Sequence, residues 1–388
     1  MAVLIVDDNA MNVMVIQEML RRAGYEEHLV AYSAEEMFAL LDRSPDMGGP
    51  VAGSIDLILL DLMMPKMDGI EACRLLQQDE RYKDVPVIIV TAIGDSNKLA
   101  EALDAGAIDF VTKPINKTEL LARIRSALRL KRELDWHKER DCRLRQELAL
   151  ARQVQESVLP DPVEGGNVNI AAFFEASEEL AGDLYAWHAI DDGRWAIAVV
   201  DAMGHGISSS LVSMFIASIL KESMRSLWSP RRVFGELNRR LMGLQCENEL
   251  VRYYCTGIYL TVDLTLGTLE YANAGHPPGL LYRRDEDIPE RLAATSPPLG
   301  LFEQQEIATR AIPIKPGDAV YAYTDGILSA FRGEDEARIE ALGGYLGQAR
   351  QDEARLRKLI ASAPLDGRSD DRCLVKLQLL PRGARHED

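Results

Sequence analysis

Cysteine is scarce in this chain of 388 residues. The five cysteines are scattered without the paired spacing of metal ligands, namely Cys73, Cys142, Cys246, Cys255 and Cys373. No signal peptide precedes the strand-like opening at residues 2–6. A reducing cytoplasm is the setting that these two features predict.

Positive charge and long apolar runs are also in short supply. The chain has 44 basic and 61 acidic residues, a formal charge of -17, which argues against nucleic acid or an anionic membrane as the main partner. The longest strongly apolar helical run, residues 211–220, has about half the length of a bilayer span. We therefore expect no membrane span, and a protein or a small ligand as partner. The length and the ordinary hydrophobic content of 47% predict two or three domains.

The first domain, residues 1–118, alternates between strand and helix patterns. Residues 2–6 are an apolar run that ends in two carboxylates, and residues 11–22 then have helical spacing. This alternation predicts an α/β domain with a doubly wound, parallel, five-stranded sheet, whose ligands collect at the carboxyl ends of the strands. Further strands are predicted at residues 27–31, 56–60, 85–91 and 109–111, and further helices at residues 34–42, 69–78, 98–105 and 117–130.

Five polar residues lie at the predicted strand ends: Asp7, Asp8, Asp61, Thr91 and Lys113. Three carboxylates repel one another unless a divalent cation binds among them, and a hydroxyl and an ammonium complete a pocket for phosphoryl oxygens. A carboxylate there can act as a nucleophile and form an aspartyl phosphate. An ordinary flavodoxin-like domain with acidic strand ends is the alternative, but it does not account for all five positions in order.

This set resembles a response-regulator receiver domain, with Asp61 at the phosphoacceptor position. The resemblance implies that Asp8, Asp61 and the backbone carbonyl of Met63 hold Mg²⁺, with Asp7 assisting through solvent. It also implies a sensor histidine kinase as the source of the phosphoryl group.

The resemblance further implies that Thr91 and Lys113 sense the phosphoryl group and that the Lys113–Pro114 peptide bond is cis. Phe110 departs from the family pattern, which often has tyrosine there. The glycine- and proline-rich residues 44–54 are expected to be a flexible insertion without chemistry.

Residues 119–160 form the predicted linker. Their side chains follow alternating steps of four and three, which favours a parallel coiled coil that joins two chains as a homodimer. The alternative is one long amphipathic helix that lies on its own domains. His137 and Asp141 place polar groups at the centre of this seam, and such residues can set the register of a coiled coil at some cost in stability. The seam consists of Leu130, Leu134, His137, Asp141, Leu144, Leu148, Ala151, Gln155 and Val158.

In the C-terminal part, Asp201 ends an apolar run at residues 195–200 that has the length of a buried strand. Two glycines after it permit a tight turn into a helical run. Oxygen-only ligands at such boundaries suit hard cations such as Mg²⁺ or Mn²⁺. A single Asp-Gly pair is usually only a surface turn, whereas an ordered set is more specific. Three further acidic residues stand at comparable boundaries: Asp183, Asp325 and Asp370.

Together with three short motifs, these positions resemble the metal-dependent serine/threonine phosphatases of the protein phosphatase 2C superfamily, in their bacterial SpoIIE/RsbU-like branch. The resemblance covers about residues 148–380. It implies an α+β sandwich of two antiparallel sheets flanked by helices over residues 161–381, with a flexible tail at residues 382–388. The motifs are residues 151–160, 273–278 and 297–300.

The same resemblance gives the acidic residues their roles and makes Asp201, Asp325 and Asp370 the candidate catalytic residues. Asp201 bridges two Mn²⁺ or Mg²⁺ ions, the backbone carbonyl of Ala202 contributes to one of them, and Asp325 and Asp370 hold the other. Asp183 binds directly or through water. Two such ions neutralise the phosphate and activate a water for in-line attack, so that no covalent intermediate is expected.

Two histidines near turns, His205 and His276, are assigned structural roles, because a lone histidine there is at least as often a hydrogen-bonding group as an acid. Three residues depart from the family pattern. Ala181 replaces the first glycine of a usual Gly-Gly-Asp, Ser329 stands where an acidic residue often follows Thr-Asp-Gly, and Cys373 occupies a frequent threonine position. None of these changes removes a predicted metal ligand.

We therefore expect a response regulator in which phosphorylation of Asp61 controls a metal-dependent protein serine/threonine phosphatase. The branch resemblance implies that the substrate is a phosphorylated anti-sigma-factor antagonist of the STAS type. The alternative is a non-catalytic adaptor, whose inert phosphatase-like domain binds a sigma factor or its regulators. Such relatives are expected to have lost metal carboxylates, whereas all four are present here. A transcription factor is disfavoured, because no helix-turn-helix is recognisable.

Overall fold

The computed structural model describes residues 2–42, 55–92, 96–204, 206–244, 253–362, 364 and 370–381. The predicted insertion at residues 44–54, the tail at residues 382–388 and His205 lie outside the described residues. The chain forms two compact units, Met1–Leu144 and Arg145–Asp388. No helix in the described part of the chain has both the length and the apolar character that a membrane span requires.

The N-terminal unit contains a five-stranded parallel sheet with the order β2-β1-β3-β4-β5, as the alternating pattern predicted. Each strand ends at the same edge of the sheet, so its polar end residues are brought together. The elements are β1 (Ala2–Val6), α1 (Ala10–Arg21), β2 (His28–Ala31), α2 (Ala34–Leu41), β3 (Ile55–Asp61), α3 (Gly69–Gln78), β4 (Val87–Thr91), α4 (Ser96–Asp104), β5 (Asp109–Thr112) and α5 (Lys117–Val158).

The central strand β3 explains why helices cover both faces of this sheet. Leu57 and Leu59 point to one side and pack with apolar residues of α1 and the first turns of α5. Ile58 and Leu60 point to the other side and pack with α2, α3 and α4. All four side chains are fully buried, and each contributes about 1.5–3 kcal/mol to the free energy of folding. A strand buried on both faces is typical of a parallel sheet.

Helix α5 is a single helix of 42 residues, which confirms the predicted helical linker and includes the helix predicted at residues 117–130. Its first turns are anchored in the N-terminal core through Leu120 and Ile124. Side chains at residues 132–147 are all exposed, and the seam residues Leu134 and Leu144 are 40% and 47% exposed. The structure contains one chain, so the pairing of two such helices stays a prediction.

The C-terminal unit contains two five-stranded sheets whose paired strands are antiparallel, with the orders β13-β10-β9-β8-β7 and β12-β11-β14-β15-β6. This is the sandwich that the sequence resemblance implied. The elements are β6 (Val168–Glu175), β7 (Asp183–Asp191), β8 (Arg194–Ala202), α6 (Ile207–Ser226), α7 (Pro230–Met242), β9 (Cys255–Asp263), β10 (Thr268–Ala274), β11 (Gly279–Tyr282), β12 (Glu290–Leu292), β13 (Arg310–Pro313), β14 (Ala319–Tyr323), a 3-10 helix (Asp325–Ala330), α8 (Asp335–Gln348), α9 (Glu353–Ile360) and β15 (Arg372–Leu379).

Alternation along the strands builds three layers of core in this unit. Ile197 and Val199 of β8 face the other sheet, where they pack with residues such as Val375 of β15. Ala196 and Ala198 face outward and pack under α6 and α7. Helices α8 and α9 cover the outer face of the second sheet. The small alanines let the helices approach β8 closely, and β8 leads directly to the predicted metal ligand.

Candidate active site

The polar residues at the strand ends of the N-terminal unit come together as predicted. Ligand oxygens of Asp7, Asp8 and Asp61 lie within 4.8 Å of one another, the spacing that a single metal ion requires. Lys113 Nζ donates to Asp7 Oδ2 at 2.8 Å and to Asp61 Oδ2 at 2.9 Å. Thr91 is fully buried at the end of β4, and the Lys113–Pro114 bond is cis, as predicted.

Charge in this cluster is only partly balanced. Burial raises the pKa of Asp61, and the charge of Asp7 raises it further, while the hydrogen bond from Lys113 opposes the rise. Burial works against the charge of Lys113, yet its hydrogen bonds to Asp7 and Asp61 leave its pKa raised. Three carboxylates therefore share one ammonium, and the remaining negative charge fits a divalent cation with oxygen ligands.

In the C-terminal unit, two neighbouring strand pairs position Asp183 and Asp201. Asp201 lies at the end of β8, directly opposite Asp183 on β7 and Thr256 on β9. Gly204 and Gly206, which follow, have φ of 85° and 78°, the left-handed region that glycine adopts without strain. The predicted turn after Asp201 is therefore present, and α6 begins immediately after it.

Asp325 and Asp370 come from the other sheet, next to the paired strands β14 and β15. Asp325 begins the 3-10 helix that follows β14, and Asp370 precedes β15. The glycine that follows Asp325 is required for steric reasons, because a Cβ on Gly326 would lie 2.0 Å from the carbonyl oxygen of Asp371. Only glycine lets the two chain segments pass so closely.

Three of the four predicted carboxylates line one cavity. Asp201, Asp325 and Asp370 face a space of about 490 Å³, together with Thr256 and His276. Asp183 is not among the lining residues: it is buried behind the cavity, where its Oδ2 accepts a hydrogen bond from Thr324 Oγ1 at 2.6 Å. The role of Asp183 as a ligand, and that of the Ala202 carbonyl at the end of β8, stay predictions.

Burial raises the pKa values of these carboxylates, and repulsion between neighbouring carboxylates adds to this effect for Asp183 and Asp201. Burial raises the pKa of Asp201 to about 8, with further contributions from Asp325, Asp370 and Asp371. Burial and then the charge of Asp201 raise the pKa of Asp183 well above its ordinary value. Asp325 opens onto the cavity, and burial raises its pKa as well. Divalent cations would relieve this repulsion, so the donor set fits them.

The two acidic sites differ in how tightly their oxygens converge. Within the described ranges, the group around Asp61 is the one in which three ligand oxygens lie within 4.8 Å of one another. The carboxylates of Asp201, Asp325 and Asp370 instead surround a cavity. The first arrangement suits one ion, whereas the second leaves room for ions, a water and a phosphate group.

Comparison with known families assigns the two acidic sites to two different domains. Residues 3–125 match the model of the response regulator receiver domain, and residues 191–380 match that of Stage II sporulation protein E (SpoIIE). The chain joins a receiver domain to a SpoIIE-type domain. Both resemblances inferred from the sequence motifs are thereby confirmed.

Individual relatives each match one part of the chain. Phosphoserine phosphatase RsbP of Bacillus subtilis is 39% identical over 184 residues, which are 47% of this chain and 45% of RsbP. The phosphate regulon regulatory protein PhoB of Pseudomonas aeruginosa is 41% identical over 128 residues, 33% of this chain and 51% of PhoB. The chain thus spans about half the length of the curated relatives it matches.

A solved structure is similar to the SpoIIE-type domain in fold. The SiaA-PP2C domain of Pseudomonas aeruginosa superposes with a TM-score of 0.51 at 19% identity, covering 62% of this chain and 98% of that domain. At this identity the likeness concerns the fold alone. It agrees with the two antiparallel sheets and their flanking helices.

Asp371 is a residue of the SpoIIE-type domain whose role sequence reasoning missed. Its buried carboxylate accepts hydrogen bonds from Gly182 N at 2.6 Å, from Ser177 N at 2.7 Å and from Ser177 Oγ at 3.0 Å. These bonds fix the backbone directly before Asp183. The sequence did show two adjacent aspartates, Asp370 and Asp371, but it did not show that only Asp370 faces the cavity.

Thr324 provides a second support for Asp183. Its buried hydroxyl donates to Asp183 Oδ2 and accepts a hydrogen bond from Cys373 N at 3.0 Å. The threonine therefore links β7 of one sheet to β15 of the other beside Asp183. Because Cys373 takes part through its backbone, the departure from the family's threonine leaves this contact intact.

Gln155, near the end of α5, holds the same segment from a third direction. Its side-chain amide donates to Ala181 O at 2.7 Å and accepts from Ala181 N at 3.1 Å. The Nε2 atom also lies 3.2 Å from Ser213 Oγ on α6. One buried amide thus connects the last turns of α5 to the backbone before Asp183 and to the helix after Asp201.

His276 is a neutral residue of the cavity wall. Burial lowers its pKa to about 3, and its Nδ1 lies 2.8 Å from Thr256 Oγ1. Its backbone N–H donates to Asn273 Oδ1 at 2.9 Å. Gly275, with φ of 64°, could not carry a side chain, because its Cβ would lie 2.6 Å from Pro298 Cγ. These contacts tie two of the sequence motifs together and support the predicted structural role of His276.

Proposed function

We propose that the SpoIIE-type domain is a metal-dependent protein serine/threonine phosphatase and that phosphorylation of Asp61 in the receiver domain controls it. The observation that carries this proposal is the single cavity lined by Asp201, Asp325 and Asp370, which are remote in sequence. RsbP, 39% identical over its matched region, is named a phosphoserine phosphatase. The retained carboxylates favour the enzyme over an inert adaptor.

The chain supplies the ligands and the groups that orient them. Asp201 would bridge two Mn²⁺ or Mg²⁺ ions, the Ala202 carbonyl would contribute to one of them, and Asp325 and Asp370 would hold the other. Asp183 would bind directly or through water. Bound ions of this kind would neutralise the phosphate and lower the pKa of a water that attacks phosphorus. Asp371, Thr324 and Gln155 hold the segment that carries Asp183 in place.

The substrate that we infer is a phosphorylated anti-sigma-factor antagonist of the STAS type. This inference derives from the resemblance of the C-terminal half to the SpoIIE/RsbU-like branch. The acidic balance of the chain, with 61 acidic against 44 basic residues, agrees with a protein substrate rather than a nucleic acid. A cytoplasmic location, where such partners and a sensor histidine kinase domain would meet the chain, belongs to the same proposal.

The receiver domain would take its phosphoryl group on Asp61. Asp8, Asp61 and the Met63 carbonyl would hold Mg²⁺, with Asp7 assisting through solvent. Lys113, now bonded to the carboxylates of Asp7 and Asp61, is positioned to contact the phosphoryl oxygens instead. Thr91 would supply its hydroxyl to the same oxygens.

Helix α5 is the element through which we propose the signal travels, with homodimer formation along the part of its seam before Gln155, since Gln155 is buried against its own chain. The contact that supports this is the amide of Gln155, because a rotation or shift of α5 would pull on Ala181 and Ser213 together. Coupling of a few kcal/mol would be needed to change the active population substantially.

The test is turnover of a phosphoserine peptide by the full chain with Mn²⁺, with and without beryllofluoride as the phosphoryl mimic. Asp201→Asn should abolish metal-dependent turnover. Asp263→Asn, at the opposite end of the same sheet, is the matched control and should retain it. Absence of turnover by the unmodified chain in both receiver states would overturn the proposal and favour the adaptor.

A further inference from the structure

The chain segment that follows Asp325 contributes more than one charged group to the cavity. It passes from the 3-10 helix through Gly333 into α8, and the first turns of α8 return to the same space. Asp335 and Arg338, both from these turns, line the cavity together with Asp325. An arginine therefore lies on the wall of a cavity that is otherwise acidic.

The local backbone fixes the direction of Arg338. Its Nε donates to the carbonyl oxygen of Gly333 at 2.8 Å, and its backbone N–H donates to Glu334 O at 3.0 Å. Gly333 has φ of 113°, a conformation that strains any residue with a side chain. The glycine turn thus presents the carbonyl that holds the guanidinium, and the half-buried side chain has little freedom to leave the wall.

The charge of Arg338 differs in sign from the other charges on the cavity wall. Among the described residues that line it, Arg338 is the one cation, and the carboxylates of Asp201, Asp325, Asp335 and Asp370 oppose it. Two divalent ions would offset negative charge on both the carboxylates and the phosphate, but four carboxylates and a phosphomonoester dianion together exceed the charge of the two ions. A guanidinium binds phosphate oxygens through its planar fork of donors, so Arg338 supplies further positive charge where the phosphate would lie.

We propose that Arg338 is a substrate-binding residue that contacts the non-bridging oxygens of the phosphoserine phosphoryl group and, after hydrolysis, of inorganic phosphate. The ligand class is a phosphomonoester dianion. This inference rests on the proposed phosphatase function and deepens it, because it places substrate recognition on α8 as well as on the metal ligands.

Three variants of the full chain test it. Arg338→Met removes the guanidinium with little loss of volume, Arg338→Lys keeps a point charge without the fork, and Arg332→Met is the control. Arg332 lies just before the same glycine, is exposed and does not line the cavity. The measurements are kcat and KM for a phosphoserine peptide at saturating Mn²⁺, the inhibition constant of inorganic phosphate, and phosphate affinity by calorimetry.

Arg338→Met should raise the KM and the phosphate inhibition constant in parallel by roughly ten- to a hundredfold, the range for losing hydrogen bonds to a charged group. Its kcat should fall less, Arg338→Lys should recover part of the loss, and Arg332→Met should match the unmodified chain. Unchanged phosphate affinity in Arg338→Met would overturn the proposal. A fall in kcat and in thermal stability with no change in KM or in the phosphate inhibition constant would also overturn it. If the unmodified chain shows no turnover, the proposed function fails, and the calorimetric comparison still decides whether Arg338 binds phosphate.

Discussion

Replacing Asp371 by asparagine tests how far the metal ligands depend on the residues behind them. The substitution keeps the shape of the side chain but leaves one oxygen where two accepted hydrogen bonds. In one orientation the amide nitrogen faces Gly182 N–H, and in the other it faces Ser177 N–H. Either way a backbone donor loses its partner beside Asp183.

The structure sets the expected size of the effect. A hydrogen bond to a charged group is worth about 1.5–3 kcal/mol, so the free energy of unfolding should fall by about 2 kcal/mol. Part of this loss is offset, because the charge of Asp371 also raises the pKa values of Asp183 and Asp201 and its removal relieves that repulsion. Loss of support for a metal ligand typically weakens metal binding by about 10–100-fold, and we expect Mn²⁺ affinity to fall within this range.

Asp318→Asn provides the matched control. Asp318 is also a buried carboxylate of the SpoIIE-type domain, and it accepts hydrogen bonds from Lys315 N at 2.9 Å and Arg284 N at 3.1 Å, but it lies outside the cavity. Urea unfolding of both variants should give similar losses of stability, while calorimetric titration with Mn²⁺ should separate them. If Asp371→Asn kept the affinity for Mn²⁺ of the unmodified chain, the reasoning that Asp371 positions the ligand segment would be refuted.

Three further predictions follow from the charges and contacts. Because burial raises the pKa of Asp201 to about 8, the metal-free folded chain retains a proton that the unfolded chain releases near pH 4, and its stability should fall as pH rises between these values. Mn²⁺ should therefore raise the melting temperature more at pH 8 than at pH 6, and equal shifts at the two pH values would contradict the account. Gln155→Ala should diminish the response of turnover to beryllofluoride, whereas Gln153→Ala, exposed on the same helix, should preserve it; identical responses would reject the coupling role. Lys113→Met removes an ammonium 2.8 Å and 2.9 Å from two carboxylates, so calorimetry should detect tighter Mg²⁺ binding by the receiver, and weaker binding would refute the assigned geometry.

Alternating apolar runs predicted the layered organisation of the N-terminal unit, whereas the sandwich of the C-terminal unit was implied by the family resemblance. Strands β12 (Glu290–Leu292) and β13 (Arg310–Pro313) give little local signal in the sequence, because both are short and lie at sheet edges, and β13 has no buried side chain. Strand order could not be read, since it depends on pairings between distant segments.

The difference between local patterns and contacts between distant segments also explains which site residues could be predicted from the sequence. Asp201 and Asp325 were predictable because each follows an apolar run, a pattern local to the chain. Asp371 contacts Ser177 across 194 positions of sequence, and Gln155 contacts Ala181 across 26, and nothing in the local sequence indicates either partner. Arg338 was missed for a similar reason, because only the fold of the glycine turn returns it to the cavity that Asp325 lines.

The number of Mn²⁺ ions bound per chain tests the central claim, that four distant aspartates in the SpoIIE-type domain hold a pair of metal ions, in addition to the single ion of the receiver domain. Equilibrium dialysis of the unmodified chain should give three ions, one for the receiver and two for the SpoIIE-type domain. Asp8→Ala should lower the number by one and Asp201→Ala by two. A chain in which Asp201→Ala binds as many ions as the unmodified protein would contradict the account.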